Sequence, residues 1–246
     1  MRSNKSQLWL TVTLSILVIT LIAAATPAVA QQESVLYNFT STGPQAGVVF
    51  DALGNLYGAD ASQGVYELTP QSDGTWTEKI IYNNFGANAN IAGDLIFDSA
   101  GNLYGVSLSG AASDGFVFEL KPSSGGSWTE ETLYTFPQTG LHGNDPFAGV
   151  IMDKSGNLYG TTFYGGAYGG RNIFAAGGTV FELIPQPGGG WTQKLLHSFG
   201  NGTDGSNPNG GLIFDSAGNL YGTTTQGGGP NALGTVFELI RQSNGQ

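Results

Sequence analysis

The sequence predicts an all-β fold, a β-propeller built from four-stranded antiparallel blades. One observation is an eight-residue motif that recurs four times, with its first residues 47, 55 and 62 positions apart. A second is that short apolar segments flank every copy in the same order. A third is that residues 31–246 contain no sustained helical periodicity. Units of ~40–60 residues that each hold four short strands are typical of propeller blades.

The repeated motif reads DSAGNLYG at Asp98–Gly105 and again at Asp215–Gly222. Near-copies begin at Asp51 and Asp153, as DALGNLYG and DKSGNLYG. An Asp side chain can hydrogen-bond the backbone of a tight turn, and a central Gly accepts the positive φ that a three-residue hairpin with a bulge needs. Each octet is therefore predicted to be the turn between the first two strands of a blade, with glycines such as Gly101 at positive φ.

Each blade has four predicted strands, which we name A to D. Strand A is the apolar segment before the octet, as in LIFD, and strand B begins within NLYG. Strand C is TVFEL or a close variant, and strand D begins with WT and ends near a Phe. The predicted single domain covers residues 31–246, with repeat units at about 47–85, 94–136, 149–199 and 211–240.

The N-terminal segment Val35–Phe39 reads VLYNF, which matches the end of strand D, whereas no WT segment follows the fourth strand C. We therefore expect it to pair with Val236–Leu239, to complete the fourth blade and to close the ring without a free sheet edge. Two alternatives stay open, namely half of a larger ring formed by a dimer and a truncated gene product.

Residues 1–30 have the features of a secretory signal peptide. Arg2 and Lys5 precede an apolar run, and Ala28-Val29-Ala30 is a small-x-small cleavage pattern. The alternative is an uncleaved anchor, because the run is about as long as a membrane span. The chain from Gln31 keeps all 18 acidic residues against 6 basic ones, a formal charge of −12. Such a charge disfavours nucleic acid and anionic membranes as partners.

The pattern D-x-x-G-N-L-Y-G-T-T followed by G-G-x-x-G-x-V-F-E-L resembles the GloVer tandem repeat of choice-of-anchor bacterial surface proteins. The resemblance covers residues 35–240 and is strongest in the third and fourth units; the first has GAD in place of GTT. The A–B hairpin is more distantly similar to those of NHL and sensor-type propellers. The resemblance implies a secreted or surface-displayed repeat protein and brings no established enzymatic activity with it.

The repeated carboxylates favour structural roles. One turn Asp per blade is far from the roughly six to eight oxygens that Ca²⁺ binds, so turn capping is preferred over a calcium site. The Glu of strand C lies twelve positions before a charged residue of strand D in three blades, which predicts cross-strand pairs. The pairs are Glu67 with Lys79, Glu119 with Glu131, and Glu182 with Lys194.

The histidines and the Gly-rich segments indicate no catalytic centre. His197 stands where strand D otherwise has Tyr, which favours packing. His142 and Asp145 lie together in PQTGLHGNDPF, but one His and one Asp make neither a metal site nor a catalytic triad. GGAYGG lacks the Lys-Ser/Thr ending of a phosphate loop. We therefore expect no cofactor and no metal.

The long B–C loop of the third blade is the candidate ligand site. In a propeller the B–C and D–A loops share one face, and variable loops on a rigid framework commonly bind. Tyr rings and the Arg fork suit a sugar ring or an extended peptide. With His142 and Asp145 as neighbours, the loop residues of interest are Phe163, Tyr164, Tyr168, Arg171, Asn172 and Phe174. The alternative is a loop that only covers its neighbour.

Two functions are open at this point. The first is a secreted binding or structural module, monomeric or homodimeric, whose partner is an extracellular glycan or protein. The second is a propeller enzyme, a hydrolase or lyase, with Asp145 or Asp204 and a metal at the ring centre. Polar side chains that converge at the axis would favour the enzyme, and small apolar residues there would favour the module.

Overall fold

The computed structural model describes residues 32–242, except 41, 45, 61–62, 87–88, 110–113, 170–176 and 232. The predicted leader, residues 1–30, lies outside the described residues. The chain divides into two compact units, Met1–Leu36 and Tyr37–Gln246, and all the strands that the structure describes belong to the second. Within the described ranges, no helix has the length and apolar character that a bilayer crossing requires.

The first two sheets each contain four consecutive antiparallel strands. The first has the order β1-β2-β3-β4: β1 (Val49–Phe50), β2 (Leu56–Asp60), β3 (Gly64–Pro70) and β4 (Trp76–Tyr82). The second has the order β5-β6-β7-β8: β5 (Ile91–Phe97), β6 (Leu103–Ser107), β7 (Phe116–Pro122) and β8 (Trp128–Thr135). These strands are the predicted A, B, C and D of the first and second blades.

The third sheet repeats this order, and the fourth varies it. The third contains β9 (Ile151–Met152), β10 (Leu158–Thr162), β11 (Thr179–Pro185) and β12 (Trp191–Ser198). The fourth contains β13 (Gly205–Pro208), β14 (Ile213–Phe214), β15 (Leu220–Gly227) and β16 (Thr235–Leu239). β13, β14 and β16 all pair with β15. Because β16 takes one edge of β15, β13 and β14 are two pieces of strand A on the other edge.

The predicted four-bladed all-β architecture is confirmed, and so is the chemistry of the A–B turns. Gly101 and Gly218 have φ values of 87° and 85°. The last Gly of an octet is required for a different reason: it lies beneath an aromatic ring of strand C, which leaves no space for a side chain. A Cβ on Gly105 would stand 2.5 Å from Phe118 Cζ, and one on Gly160 would stand 2.6 Å from Phe181 Cζ. Only Gly allows these rings to cross strand B.

The core lies between successive blades. One cluster joins the first blade to the second, with Val65 against Phe118 and their neighbours. Equivalent clusters join the second to the third and the third to the fourth, centred on Phe181 and Phe199. In a fourth cluster, Tyr37 and Phe39 pack against residues of strands B and C of the first blade. Among the described residues, no cluster joins the fourth blade to the first.

The expected closure by the N-terminal strand, residues 35–39, is wrong. Residues 32–40 contain no strand, and among the described strands β16 pairs only with β15. Tyr37 and Phe39 instead pack on the first blade. Phe39 lies edge-on to Tyr66 with centroids 5.0 Å apart, and the Tyr37 hydroxyl donates to Glu78 Oε2 at 2.9 Å. These contacts hold Tyr37 and Phe39 against strands C and D of the first blade.

Candidate functional site

The B–C loop of the third blade leaves β10 and runs beside the D–A loop that leads into the same blade. Tyr164 and Asn144 exchange backbone hydrogen bonds in both directions, at 3.1 and 3.2 Å. The Phe163 amide donates to the Asp145 carbonyl at 2.9 Å. The two loops therefore form one connected surface at the end of the blade opposite the A–B turns.

Three aromatic rings of these loops pack on one another. The Phe163 ring lies 5.1 Å from Phe147 and 4.6 Å from Tyr164, measured between centroids. Phe163 and Tyr164 are both partly buried. Much of the aromatic surface predicted to meet a ligand is thus used to hold the loops together.

Tyr168 is placed differently, because its side chain is 55% exposed. It lines a cleft of about 560 Å³ with Ala167, Leu195, Leu196, His197, Ser198, Asn201 and Asp204. The cleft lies between the B–C loop, strand β12 and the loop that follows it. The Ala167 amide donates to Ser198 Oγ at 3.2 Å, which ties the Tyr168 segment to β12.

His197 and Asp204 form the polar part of this cleft. His197 Nε2 lies 2.9 Å from Asp204 Oδ2, and the imidazole stands edge-on to Phe199 with centroids 4.6 Å apart. Asp204 Oδ1 also accepts the Gly205 amide at 2.8 Å. The predicted packing of His197 is therefore confirmed, and its pairing with Asp204 is an addition. Since a carboxylate has about four acceptor positions, Asp204 can accept further hydrogen bonds.

The other predicted site residues lie elsewhere. His142 Nδ1 is 2.8 Å from Gln193 Oε1, and Gln193 Nε2 donates back to the His142 carbonyl at 2.9 Å. Asp145 has φ of 55°, and burial, followed by the nearby Asp114 carboxylate, raises the pKa of Asp145 to about 6. Neither side chain lines the cleft. Arg171, Asn172 and Phe174 lie outside the described residues.

The repeated carboxylates form the same network in all four blades. In the second blade Asp98 Oδ1 accepts the amides of Ala100 and Asn102, at 2.8 and 2.9 Å, and Oδ2 accepts the Asn102 side chain at 2.8 Å. The Tyr104 hydroxyl reaches Asp98 at 3.1 Å and Glu119 at 2.9 Å. Turn capping is thus confirmed, and the Tyr adds a link to strand C that the sequence did not predict.

The cross-strand registers of the Glu residues are also confirmed. Glu67 faces Lys79, Glu119 faces Glu131 and Glu182 faces Lys194. Lys121 offsets the repulsion between Glu119 and Glu131, because its Nζ forms a salt bridge with each of them, at 3.1 Å and 2.6 Å. These carboxylates are occupied by structural partners. In the described ranges, no three His, Cys, Asp or Glu residues are grouped as metal ligands would be.

The repeated turn, the Tyr of strand B and the Glu of strand C recur within the part of the chain that matches a known sequence repeat. Residues 129–245 match the Gloeobacter/Verrucomicrobia repeat. The resemblance seen in the sequence is confirmed over this range, which contains the third and fourth blades. None of the curated proteins matches the chain by sequence.

Several solved structures are similar to the chain at low identity. The PQQ domain of pyranose dehydrogenase from Coprinopsis cinerea is 15% identical with a TM-score of 0.48, over 75% of this chain and 44% of that one. PorZ, a surface component of the type-IX secretion system of Porphyromonas gingivalis, is 16% identical with a TM-score of 0.49, over 82% and 28%. The PQQ-bound aldose sugar dehydrogenase from Streptomyces coelicolor is 15% identical with a TM-score of 0.46, over 77% and 59%. This chain spans less than two thirds of each.

A second groove, of about 930 Å³, lies between the third and fourth blades on the side of the A–B turns. Its lining includes Tyr159, Phe214 and Arg241. In the interface of the first two blades the Trp128 ring of a strand D packs 6.0 Å from Tyr57, the equivalent of Tyr159. The groove therefore lies where the sheet of the fourth blade lacks the corresponding Trp among the described residues.

Proposed function

We propose that this chain is an exported repeat propeller that binds a neutral carbohydrate in the cleft of the third blade. The observation that carries the proposal is the pairing of an exposed aromatic ring with polar groups across one cleft. Tyr168 supplies the ring, and Asn201, His197 and Asp204 supply the polar groups. The adjoining Leu195 is also partly exposed and gives an apolar floor.

This combination matches the chemistry of a sugar. The C–H face of a pyranose packs on an aromatic ring, while its hydroxyls need hydrogen-bond donors and acceptors at the edge. The Tyr168 ring is free to take the first role because no ring contact covers it among the described residues. Asp204 and Asn201 supply acceptors, and the Asn201 amide supplies donors.

The charge of the chain and its predicted export support the choice of ligand. The chain from Gln31 carries a formal charge of −12, which repels anionic polymers at a distance and leaves neutral ones unaffected. The leader predicted over residues 1–30 would bring the protein to the compartment where polysaccharides are met. Identification of Gln31 as the N-terminus of the exported protein by mass spectrometry tests that part of the proposal.

The experiment is a glycan array with neutral polysaccharides and oligosaccharides, followed by calorimetry on the strongest binder. Tyr168→Ala should weaken binding by at least about tenfold, which corresponds to ~1.4 kcal/mol of binding free energy. Tyr168→Phe keeps the ring and should bind within about twofold of the unchanged chain. Both variants should melt at nearly the same temperature as the unchanged chain, because the side chain is exposed.

The matched control is Phe147→Ala, which removes a partly exposed ring from the same face but outside the cleft. It should leave sugar binding intact and lower the melting temperature, since Phe147 packs on Phe163. A Tyr168→Ala variant that binds as well as the unchanged chain would disprove the site. Binding of peptides with no binding of any glycan would disprove the ligand class.

A second candidate, a hydrolase or lyase, rests on the His197–Asp204 contact. An imidazole held by a carboxylate at 2.9 Å is a suitable general base, and the pair lies inside the cleft. Release of new sugar ends from a bound oligosaccharide, abolished by His197→Ala but not by His142→Ala, would favour this function. Binding without any turnover would favour the carbohydrate-binding module.

A further inference from the structure

The interfaces between successive blades repeat the same contacts. In each, the Tyr of strand B on one blade faces the end of strand A on the next. Tyr57 stands edge-on to Phe97 at 5.1 Å, and Tyr159 stands edge-on to Phe214 at 5.2 Å, measured between centroids. We call the Tyr side of a blade its trailing face and the Phe side its leading face.

A second contact also recurs at each interface. The Phe at the end of strand D packs on the central aromatic residue of strand C in the next blade. The ring centroids are 4.7 Å apart for Phe85 and Phe118, 5.2 Å for Phe136 and Phe181, and 4.9 Å for Phe199 and Phe237. Phe39 makes the same contact with Tyr66 at 5.0 Å. Tyr37–Phe39 thus occupies the place of a preceding strand D on the first blade.

The trailing face of the fourth blade has no partner among the described residues. Val65, Val117 and Val180 of the first three blades are fully buried at this position, whereas the equivalent Val236 is 80% exposed. Ile213 is also exposed, although its equivalent Ile151 packs in an interface. The edge of β16 with which no described strand pairs borders this apolar face.

The leading face of the first blade is covered only in part. Leu95, Val150 and Leu212 of the other blades are buried, whereas the equivalent Val48 is 51% exposed. Phe50 is 62% exposed, although its equivalents Phe97 and Phe214 each lie on a Tyr of the preceding blade. What this face lacks is the trailing face of another blade.

We propose that two copies of this chain associate head to tail through these two faces. Phe50 of one copy packs on Tyr221 of the other, which is the equivalent of Tyr57 and Tyr159. Tyr37–Phe39 of the first copy then comes beside β16 of the second, where a strand D belongs. The new interface has the same contacts as the three interfaces between successive blades within one chain. The two faces are therefore complementary in shape and in apolar character.

The number of copies follows from the blade count. Propellers typically close with about four to eight blades, and two chains of four blades supply eight. A pair closes through two equivalent interfaces, so neither apolar face nor the edge of β16 stays open to further pairing. Three copies would exceed the usual range of blades.

The first test is the mass of the purified protein in solution, measured by analytical ultracentrifugation across micromolar concentrations. We expect twice the mass of one chain. Phe50→Glu and Val236→Glu should each give a monomer, because each places a charge in both equivalent interfaces. Leu233→Glu is the matched control, since Leu233 is 84% exposed but lies in a B–C loop, and it should remain a pair.

The second test is cross-linking, which is simple because the sequence contains no Cys. Phe50→Cys and Tyr221→Cys are prepared separately and treated with a short bismaleimide, alone and mixed. A head-to-tail pair predicts cross-linked dimer from the mixture and none from either variant alone. A monomeric unchanged chain, a pair indifferent to both Glu substitutions, or products from one variant alone would overturn the proposal.

Discussion

Asp98 and Asp145 lie at opposite ends of the A strands of their blades, and their environments shift their pKa values in opposite directions. Asp98 follows a strand A and accepts four hydrogen bonds from its turn and from Tyr104. Burial alone would raise the pKa of Asp98, but the hydrogen bonds from Asn102 and Ala100 outweigh it and hold the pKa below its ordinary value. Asp145 precedes a strand A, and burial beside Asp114 raises its pKa to about 6.

The difference extends to the neighbours of each residue. On the turn side the polar groups are satisfied, and positive φ falls on Gly. On the loop side Asp145 and Asn207 have φ of 55° and 58°, and the buried side-chain oxygens of Asn144 and Asn207 have no hydrogen-bond partner among the described residues. Strain and unmet hydrogen bonding tend to collect at functional sites. The contrast therefore supports a division in which the turn side stabilises the blades and the loop side binds.

The largest expected effect comes from the structural side of this comparison. Gly160→Ala places a Cβ 2.6 Å from Phe181 Cζ and 3.2 Å from Val150 Cγ1 in a fully packed interface. Overpacking of this kind typically costs about 1–3 kcal/mol, and we expect a loss near the upper end of that range in urea unfolding. Gly211→Ala is the control, because a Cβ there meets nothing within 4 Å. Phe181→Leu should restore part of the loss; equal stability of Gly160→Ala and Gly211→Ala would contradict the account.

The next effect tests the carboxylate network. Asp98→Ala leaves the amides of the turn without their acceptor, while the Tyr104 hydroxyl keeps Glu119 as an acceptor. We expect a loss of about 2 kcal/mol at pH 7, the upper range for a lost cap. Because the folded pKa lies below the unfolded one, this stability is present above the unfolded pKa and is lost as pH falls through the folded pKa. Urea unfolding at pH 7 and near pH 2.5 should show the gap shrinking. A gap independent of pH would contradict the role of the charge.

The turn side could be predicted from sequence because its determinants are local. Asp98, Gly101 and Asn102 lie within five positions, and their geometry follows from the preferences of each residue in a tight turn. The repetition of the octet then supplied the blade count. The contact of Tyr104 with Glu119 escaped prediction, because it depends on how strand B pairs with strand C and not on any turn rule.

The loop side is harder to predict from the sequence, because its contacts join segments that are distant along the chain. Tyr168 was predicted as a binding residue and does line the cleft, whereas Phe163 and Tyr164 are partly used in packing. The pairing of His197 with Asp204 depends on the path of the loop after β12, which no repeat specifies. The closure by residues 35–39 failed because VLYNF predicts the Phe39 contact on the next blade but not pairing with β16.

The third prediction concerns Asp145, whose removal should raise the stability at pH 7, whereas the removal of Asp98 should lower it. Asp145→Asn removes a charge that burial and Asp114 disfavour, and Asn tolerates the left-handed φ of 55°. Since the folded pKa exceeds the unfolded one, stability is full below the unfolded pKa and is lost as pH rises through about 6. The variant should therefore gain on the order of 1–2 kcal/mol at pH 7 and nothing near pH 3.5. Asp98→Asn, the matched substitution, should lose stability at pH 7; two changes of the same sign would remove the contrast.

The smallest expected change in stability tests the backbone conformation of a turn glycine by itself. Gly101 has φ of 87°, and a Cβ there would meet nothing within 4 Å, so Gly101→Ala changes only the conformational preference. Holding an L-residue in the left-handed region costs about 1 kcal/mol. Gly125→Ala is the control, because that turn Gly lies outside the left-handed region and has equally open space. The difference between their midpoints in urea measures the strain alone, and sugar binding in the cleft should be unchanged in both. If Gly101→Ala weakened binding, the two sides of the blades would be coupled, and the division of roles between them would be lost.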